Sequence, residues 1–286
     1  MKIRIMTDST CDLAPEYCKA HDVTLIPLTV NLNGRDYVDN GVDITPDDIF
    51  AAVAGGSPLP KTSAVNVEAY RRTFTEALKT CDAIVHLAIS AEFSSCHANA
   101  VAAAEGLPVY CVDSRNLSTG IGLLVAEAVD MVEAGCGDPE AVVAHVKALI
   151  DKVDCSFILN RLDFLHKGGR CSMVAMLGAN MLHLKPCIEV VDGVMIVGRK
   201  FRGNYERCVK QYVEDRLRDP DAIDKKRAAI VHTGLPRAEL DAIRETVERA
   251  MTFGEIMEIR AGSTISCHCG DSTMGIMYLR KQVNER

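Results

Sequence analysis

No run in this chain is apolar enough to cross a bilayer. The longest uncharged segment, Cys171–Leu184, has 14 residues and includes Ser172, Asn180 and His183. That is too short and too polar for a span, which needs about 20 apolar residues. Positive charge is not in excess either. The 32 Lys and Arg are outnumbered by 39 Asp and Glu, for a net charge of −7 and a pI of about 5.6. This balance argues against an extended nucleic-acid surface. Missing too is any C-x-x-C pair, although the chain has 12 cysteines. They are scattered, as at Cys18, Cys81, Cys111, Cys155, Cys187 and Cys208, and read as small apolar residues. Cys267-His268-Cys269 is the one dense cluster, and it lacks the second half of a tetrahedral site, so no metal is expected. No phosphate-loop sequence G-x-x-x-x-G-K-[ST] occurs, no kinase motif set, and no G-x-S-x-G turn surrounds Ser94.

What remains is an ordinary globular composition. Apolar residues make up 48% and charged residues 25% of 286 positions, enough for one large or two modest domains. Met1-Lys2-Ile3-Arg4 runs straight into a strand with no signal-peptide core, so a cytoplasmic location is expected.

The first half alternates strand and helix signals. Strands are expected at Ile3–Thr7, Ile84–Ile89 and Val109–Val112, with Thr24–Asn33 extended. Helices are expected at Pro15–His21, Pro46–Ala54, Val67–Lys79, His97–Glu105, Gly120–Ala134 and Glu140–Val153. Thr45 reads as a helix cap, with Asp47 and Asp48 in the first turn favouring its positive end. Such alternation predicts an α/β fold with a mostly parallel, doubly wound sheet. The pattern changes after Val153. A strand at Phe157–Leu159 and a short helix ending at Gly168-Gly169 precede a helix over Cys171–Leu184. Asp192-Gly193 then joins Cys187–Val191 to Val194–Val197 as a hairpin. Helices at Tyr205–Leu217, Arg237–Met251 and Ser272–Arg280, with strands at Arg227–His232 and Glu255–Arg260, complete a smaller α/β unit. The domains are therefore placed at 1–153 and 154–286.

Five apolar runs end in hydroxyls or small polar residues: Thr7-Asp8-Ser9-Thr10, Lys61-Thr62-Ser63, Ser90 with Ser94-Ser95, Asp113-Ser114, and Ser266-Cys267-His268-Cys269. In open α/β sheets ligands bind beyond the carboxyl ends of the strands. Several hydroxyls, one imidazole and the arginine of Lys167-Gly168-Gly169-Arg170 converging there would hold an anionic oxygen group, a carboxylate or a phosphate.

These motifs, together with Gly120-Ile121-Gly122-Leu123-Leu124, Lys185-Pro186 before Asp192-Gly193, and His268 followed by Gly270, resemble the DegV family. The match spans nearly the whole chain and keeps the family's order. The resemblance implies a fatty-acid-binding subunit of a bacterial two-component fatty acid kinase, built from an N-terminal α/β domain and a smaller C-terminal one. It further implies a carboxylate site made of Thr62, Ser63, Ser94, Arg170 and His268. A partner kinase would phosphorylate the bound carboxylate from ATP, and this subunit would present substrate and carry the acyl phosphate. Two departures stand beside that site. Ser95-Cys96 replaces the usual Gly-Thr after the serine, and Cys267-His268-Cys269-Gly270-Asp271-Ser272 replaces a threonine-rich stretch.

Each residue also has a plainer reading. Ser94 would serve as a helix cap before His97. Arg170 would be a solvated arginine, although a helix start disfavours positive charge. His268 would be a buried, satisfied histidine. Asp8 and Asp113 read as loop caps that accept backbone N–H bonds rather than as catalytic groups. Met173, Met176, Leu177 and Met181 suit either core or an acyl-tail lining. Arg199, Lys200 and Arg202 suit either solvation or docking of an acidic kinase surface. A sixteen-carbon acid has about fourteen methylenes, worth up to ~11 kcal/mol on burial. A hydrogen bond adds only ~1–3 kcal/mol. Affinity should thus come from the tail and orientation from the head group. The expected protein needs no cofactor, carries a long-chain fatty acid as ligand, and meets membranes only transiently for lipid exchange. The rival reading is an acyl hydrolase with Ser94 as nucleophile and His268 as base.

Overall fold

A computed structural model describes residues 1–171 and 184–283. The first sheet uses β1 (Ile3–Asp8), β2 (Thr24–Ile26), β6 (Ala83–Ala88) and β7 (Val109–Asp113) in the order β2-β1-β6-β7. All its pairings are parallel, with Ile3 opposite Ala83 and Ile84 opposite Val109. Every residue of β6 is buried, which is why it reads as a continuous apolar run rather than an alternation. Helices α3 (Val67–Ala77) and α4 (Cys96–Ala104) pack together on this sheet, α4 against β7 and β6, while α6 (Pro139–Ile150) also contacts β6 and β7. A short helix α1 (Pro15–Ala20) follows β1.

The second sheet has six strands in the order β10-β9-β8-β13-β11-β12. These are β8 (Val153–Ile158), β9 (Leu184–Val191), β10 (Val194–Arg202), β11 (Ile223–His232), β12 (Glu255–Arg260) and β13 (Met274–Arg280). Only β11 and β12 run parallel among its pairs; the others are antiparallel. Helices α8 (Tyr205–Arg216) and α9 (Arg237–Ala250) pack against each other outside it.

Between the two sheets lies α5 (Thr119–Glu133), which touches β1 and β6 on one side and β8, β11 and β13 on the other. Thr119 through Val129 are all buried, as expected of a helix that is apolar all round. Its one buried acid, Glu127, is met by Lys226 at 2.8 Å and Arg227 at 3.2 Å. A third, small sheet pairs β4 (Arg35–Val38), β3 (Thr29–Leu32) and β5 (Lys61–Ser63) antiparallel. Next to it sits α2 (Pro46–Ala54), whose start is closed by a capping box between Thr45 and Asp48.

Three expectations need correction. Ser272–Arg280 is not a helix: Met274–Arg280 is β13, an inner strand between β8 and β11. Six of its seven residues are buried, so it shows no period-2 alternation, and a short apolar run cannot be told from a buried helix by pattern. The helix expected over Glu140–Val153 stops at Ile150, and Val153 opens β8. Leu184, assigned to a helix, begins β9, and residues 172–183 lie outside the described part.

Candidate functional site

A cavity of about 160 Å³ opens where the small sheet, the loop before α4, α7 (Asp163–Gly168) and α10 (Ser263–Cys269) meet. Thr62, Ser94, Arg170 and His268 all line it, brought together from positions up to 206 residues apart. Phe93, Leu28, Leu165, Met195 and Ile265 supply its apolar wall. A smaller void of about 20 Å³ shares Leu117, Ile265 and Cys269 with it and continues towards Phe157, Val231 and Met277.

Thr62 is the middle residue of β5 and faces inward, while Lys61 and Ser63 are exposed. Because successive strand residues point to opposite faces, Thr62 and Ser63 cannot both enter, and Ser63 does not line the cavity.

His268 reaches Thr62 from α10, with Nε2 2.9 Å from Thr62 Oγ1. Its Nδ1 is buried without a hydrogen-bond partner among the described residues and lies against Gly168, where a Cβ would stand only 2.5 Å away. An orphaned buried N–H is rarer than an orphaned acceptor. The proton therefore belongs on Nε2, donated to Thr62. That leaves the Thr62 hydroxyl free to donate outward into the cavity. Burial, with Arg170 nearby, pushes the His268 pKa down to about 4, so the ring is neutral at pH 7.

Two carboxylates hold α10 in place. Asp12 accepts the Gly262 N–H at 2.8 Å, and Asp39 accepts those of Ser263 and Thr264 at 3.1 and 3.3 Å. Nothing in the sequence pattern announced these anchors, because both acids lie in turns of the first forty residues.

Arg170 stands exposed at the cavity edge. Its Nη1 donates to the Gly168 carbonyl at 2.8 Å and its Nε to the Phe93 carbonyl at 3.5 Å. It forms no ion pair among the described residues, so its charge remains available to an anion. The cap position of α4 is Ser95 rather than Ser94, and it makes no side-chain cap bond. The Ser94 oxygen accepts the Cys96 N–H at 3.3 Å, and among the described residues its proton faces only the weak acceptor Cys96 Sγ at 3.2 Å.

The other hydroxyl clusters are structural. Ser90 donates to the Gly193 carbonyl at 2.8 Å, fastening the β9–β10 turn to the first sheet. Ser114 bonds within its own loop. Asp113 accepts the N–H groups of Ala91 and Arg115. Asp8 accepts the Ile89 N–H at 3.1 Å and the Tyr70 hydroxyl at 2.5 Å. Both acids are loop caps, as read from the sequence. Asp8→Ala is expected to cost about 1–3 kcal/mol by orphaning two buried donors, read as a lower urea midpoint.

Of the basic trio on β10, Arg199 is ion-paired with Asp215 and sits over the Phe201 ring at 5.2 Å. Lys200 and Arg202 are exposed on this edge strand. Met173, Met176, Leu177 and Met181 lie outside the described residues. The Cys267 and Cys269 thiols are buried, which raises both pKa values, Cys269 to about 12; Cys269 lines the cavity. Among the described residues no group of His, Cys, Asp or Glu could hold a metal ion, and no helix is long and apolar enough to cross a membrane.

The depressed His268 pKa has a measurable consequence. The unfolded chain binds this proton below about pH 6.5 and the folded chain only below about pH 4. His268 therefore withdraws stability as pH falls through that window, by up to ~3 kcal/mol. In His268→Gln, urea midpoints at pH 7 and pH 4.5 should differ less than in the parent.

Known proteins share this architecture. A DegV family protein of Clostridium acetobutylicum is 31% identical over 98% of this chain and 99% of its own. The structure of a DegV family protein from Thermus thermophilus, described for its fatty acid binding, superposes with a TM-score of 0.90 at 30% identity. It covers 98% of this chain and 100% of that one. A stearic acid-binding protein from Eubacterium ventriosum superposes at 0.84 with 28% identity, over 97% and 98%. The family model of uncharacterised DegV proteins matches residues 2–281, and with it the whole described architecture: the chain belongs to the DegV family.

Proposed function

We propose that this protein binds a long-chain fatty acid, with its carboxylate held by Thr62, Ser94, Arg170 and His268, and presents it to a partner ATP-dependent kinase for acyl-phosphate formation. The observation that carries the reading is the donor set at the cavity edge: a neutral histidine that turns the Thr62 hydroxyl outward, beside an arginine with no acidic partner among the described residues. Neutral donors and one cation match one anionic head group, and the apolar walls match a methylene chain. Related proteins bind fatty acids, which supports the ligand class. Enclosure by apolar side chains would also shield an acyl phosphate from water. Ser63 plays no part in this reading. Lys200 and Arg202, exposed on the β10 edge, remain the candidate contacts for an acidic kinase surface, with Arg199 committed to Asp215. The protein would work in the cytoplasm as a binding and presenting subunit, with the cavity between domains 1–153 and 154–286.

The hydrolase alternative requires a serine–histidine hydrogen bond and a group orienting the histidine. Ser94 instead engages Cys96, His268 engages Thr62, and Nδ1 has no orienting acid.

Titration with hexadecanoate and with hexadecan-1-ol tests the head group. Arg170→Met should weaken hexadecanoate about tenfold or more and leave the alcohol unchanged. Equal loss for both would remove Arg170 from carboxylate recognition. ATP added to the loaded chain with hydroxylamine as trap should yield no acyl hydroxamate until a kinase is supplied. Hydroxamate from the chain alone would overturn the presenting role.

A further inference from the structure

We propose that Thr264 is a specificity residue for acyl chains that carry a hydroxyl near the carboxyl end. The inference rests on the fatty-acid reading above and narrows its substrate class.

Thr264 is 4% exposed and lines the same cavity as Thr62 and His268. Its hydroxyl oxygen is buried and has no hydrogen-bond partner among the described residues. The other cavity hydroxyls differ: Thr62 is held by His268, Ser94 by Cys96, and Ser95 is exposed to solvent. A threonine within a helix ordinarily donates to the carbonyl four residues back. Thr264 is the second residue of α10, and the residue four back, Arg260, belongs to β12. No helical carbonyl is therefore in place to receive its proton. Its backbone N–H is already occupied by Asp39 at 3.3 Å, so the residue is fixed while its hydroxyl stays unused.

Position decides which ligand would use it. Thr264 and His268 are four residues apart and share one face of α10. One turn of helix advances about 5.4 Å, so a chain whose carboxylate meets His268 would pass Thr264 at roughly its third to fifth carbon. Leu28, Leu117 and Ile265, which line the same cavity, offer no polar atom from their side chains. A bare methylene chain packed against this wall would leave the Thr264 hydroxyl unsatisfied. Rotated about its Cα–Cβ bond to face the cavity, it would pair with a ligand hydroxyl, each able to donate or accept. The cavity thus has two polar points: the head-group cluster, and a single hydroxyl one helical turn away.

Binding of hexadecanoic acid and of its isomers hydroxylated at the third, fourth or fifth carbon to the wild type, Thr264→Val and Thr264→Ser provides the test. Valine keeps the shape and removes the hydroxyl; serine keeps the hydroxyl. At least one hydroxylated acid should bind the valine variant about five- to tenfold more weakly than the wild type. Hexadecanoic acid should bind the valine variant as well as the wild type or better, and serine should restore the hydroxylated ligand. A merely structural role would move every ligand in the same direction. Equal losses for all ligands, or no hydroxylated acid distinguishing wild type from valine, would overturn the inference, the second result also being that of a hydroxyl satisfied by water. If hexadecanoic acid and its isomers all fail to bind the wild type, the fatty-acid reading falls as well.

Discussion

Asp154→Ala is expected to remove about 3–5 kcal/mol of stability, the largest effect of any single substitution considered for this chain. Asp154 lies on β8, 4% exposed, and its carboxylate pairs with Arg216 and, at 2.7 Å, with Arg280. Arg216 is itself buried and also meets Glu189 at 3.2 Å. Alanine would take this counter-charge from Arg280 and leave the buried Arg216 with Glu189 alone. The cost of such a change is mostly that of uncompensated buried charge, rather than the net worth of the pair. Urea denaturation monitored by circular dichroism would measure it. A midpoint within experimental scatter of the parent would mean that water already reaches the cluster.

Gly168→Ala is expected to lower fatty-acid affinity at least tenfold, about 1.4 kcal/mol, while the fold survives. The added Cβ would stand 2.5 Å from His268 Nδ1, closer than van der Waals contact permits. The imidazole cannot yield cheaply, because its other nitrogen is held by Thr62 and α10 is anchored by Asp12 and Asp39. Moving the ring breaks the bond that turns the Thr62 hydroxyl outward. Lys167→Ala, one residue earlier and exposed, serves as the control and should bind normally. Unchanged affinity in Gly168→Ala would show that His268 does not set the head-group geometry.

The parallel first half was legible because short apolar strand runs alternate with helical patterns, one of them opened by the Thr45 cap. β13 was not legible: Met274–Arg280 is buried almost throughout, and an inner strand without alternation looks like a buried helix. Of the small sheet only β3 was seen, inside the extended Thr24–Asn33, since β3 and β5 are joined through a helix and pair across some thirty residues. At the site, local pattern left Ser94, Arg170 and His268 open between plain and functional roles; the family resemblance named Thr62, Ser63, Ser94, Arg170 and His268, of which all but Ser63 line one cavity. Ser63 was separable from Thr62 only once β5 was recognised as a strand with one inward face. Thr264 left no trace in the sequence, because an unpartnered hydroxyl is a property of three-dimensional surroundings. The departure at Ser95-Cys96 acquires a physical meaning only in the structure, where the Cys96 sulfur stands 3.2 Å from the Ser94 oxygen.

The central claim is that the cavity holds a fatty acid by its carboxylate. Extraction of lipid from the purified, gently denatured protein, quantified by mass spectrometry beside Arg170→Met and Ser94→Ala, tests it most directly. A near-stoichiometric fatty acid is expected in the parent, with depletion in both variants. A parent protein that is empty and fails to take up added hexadecanoate would contradict it.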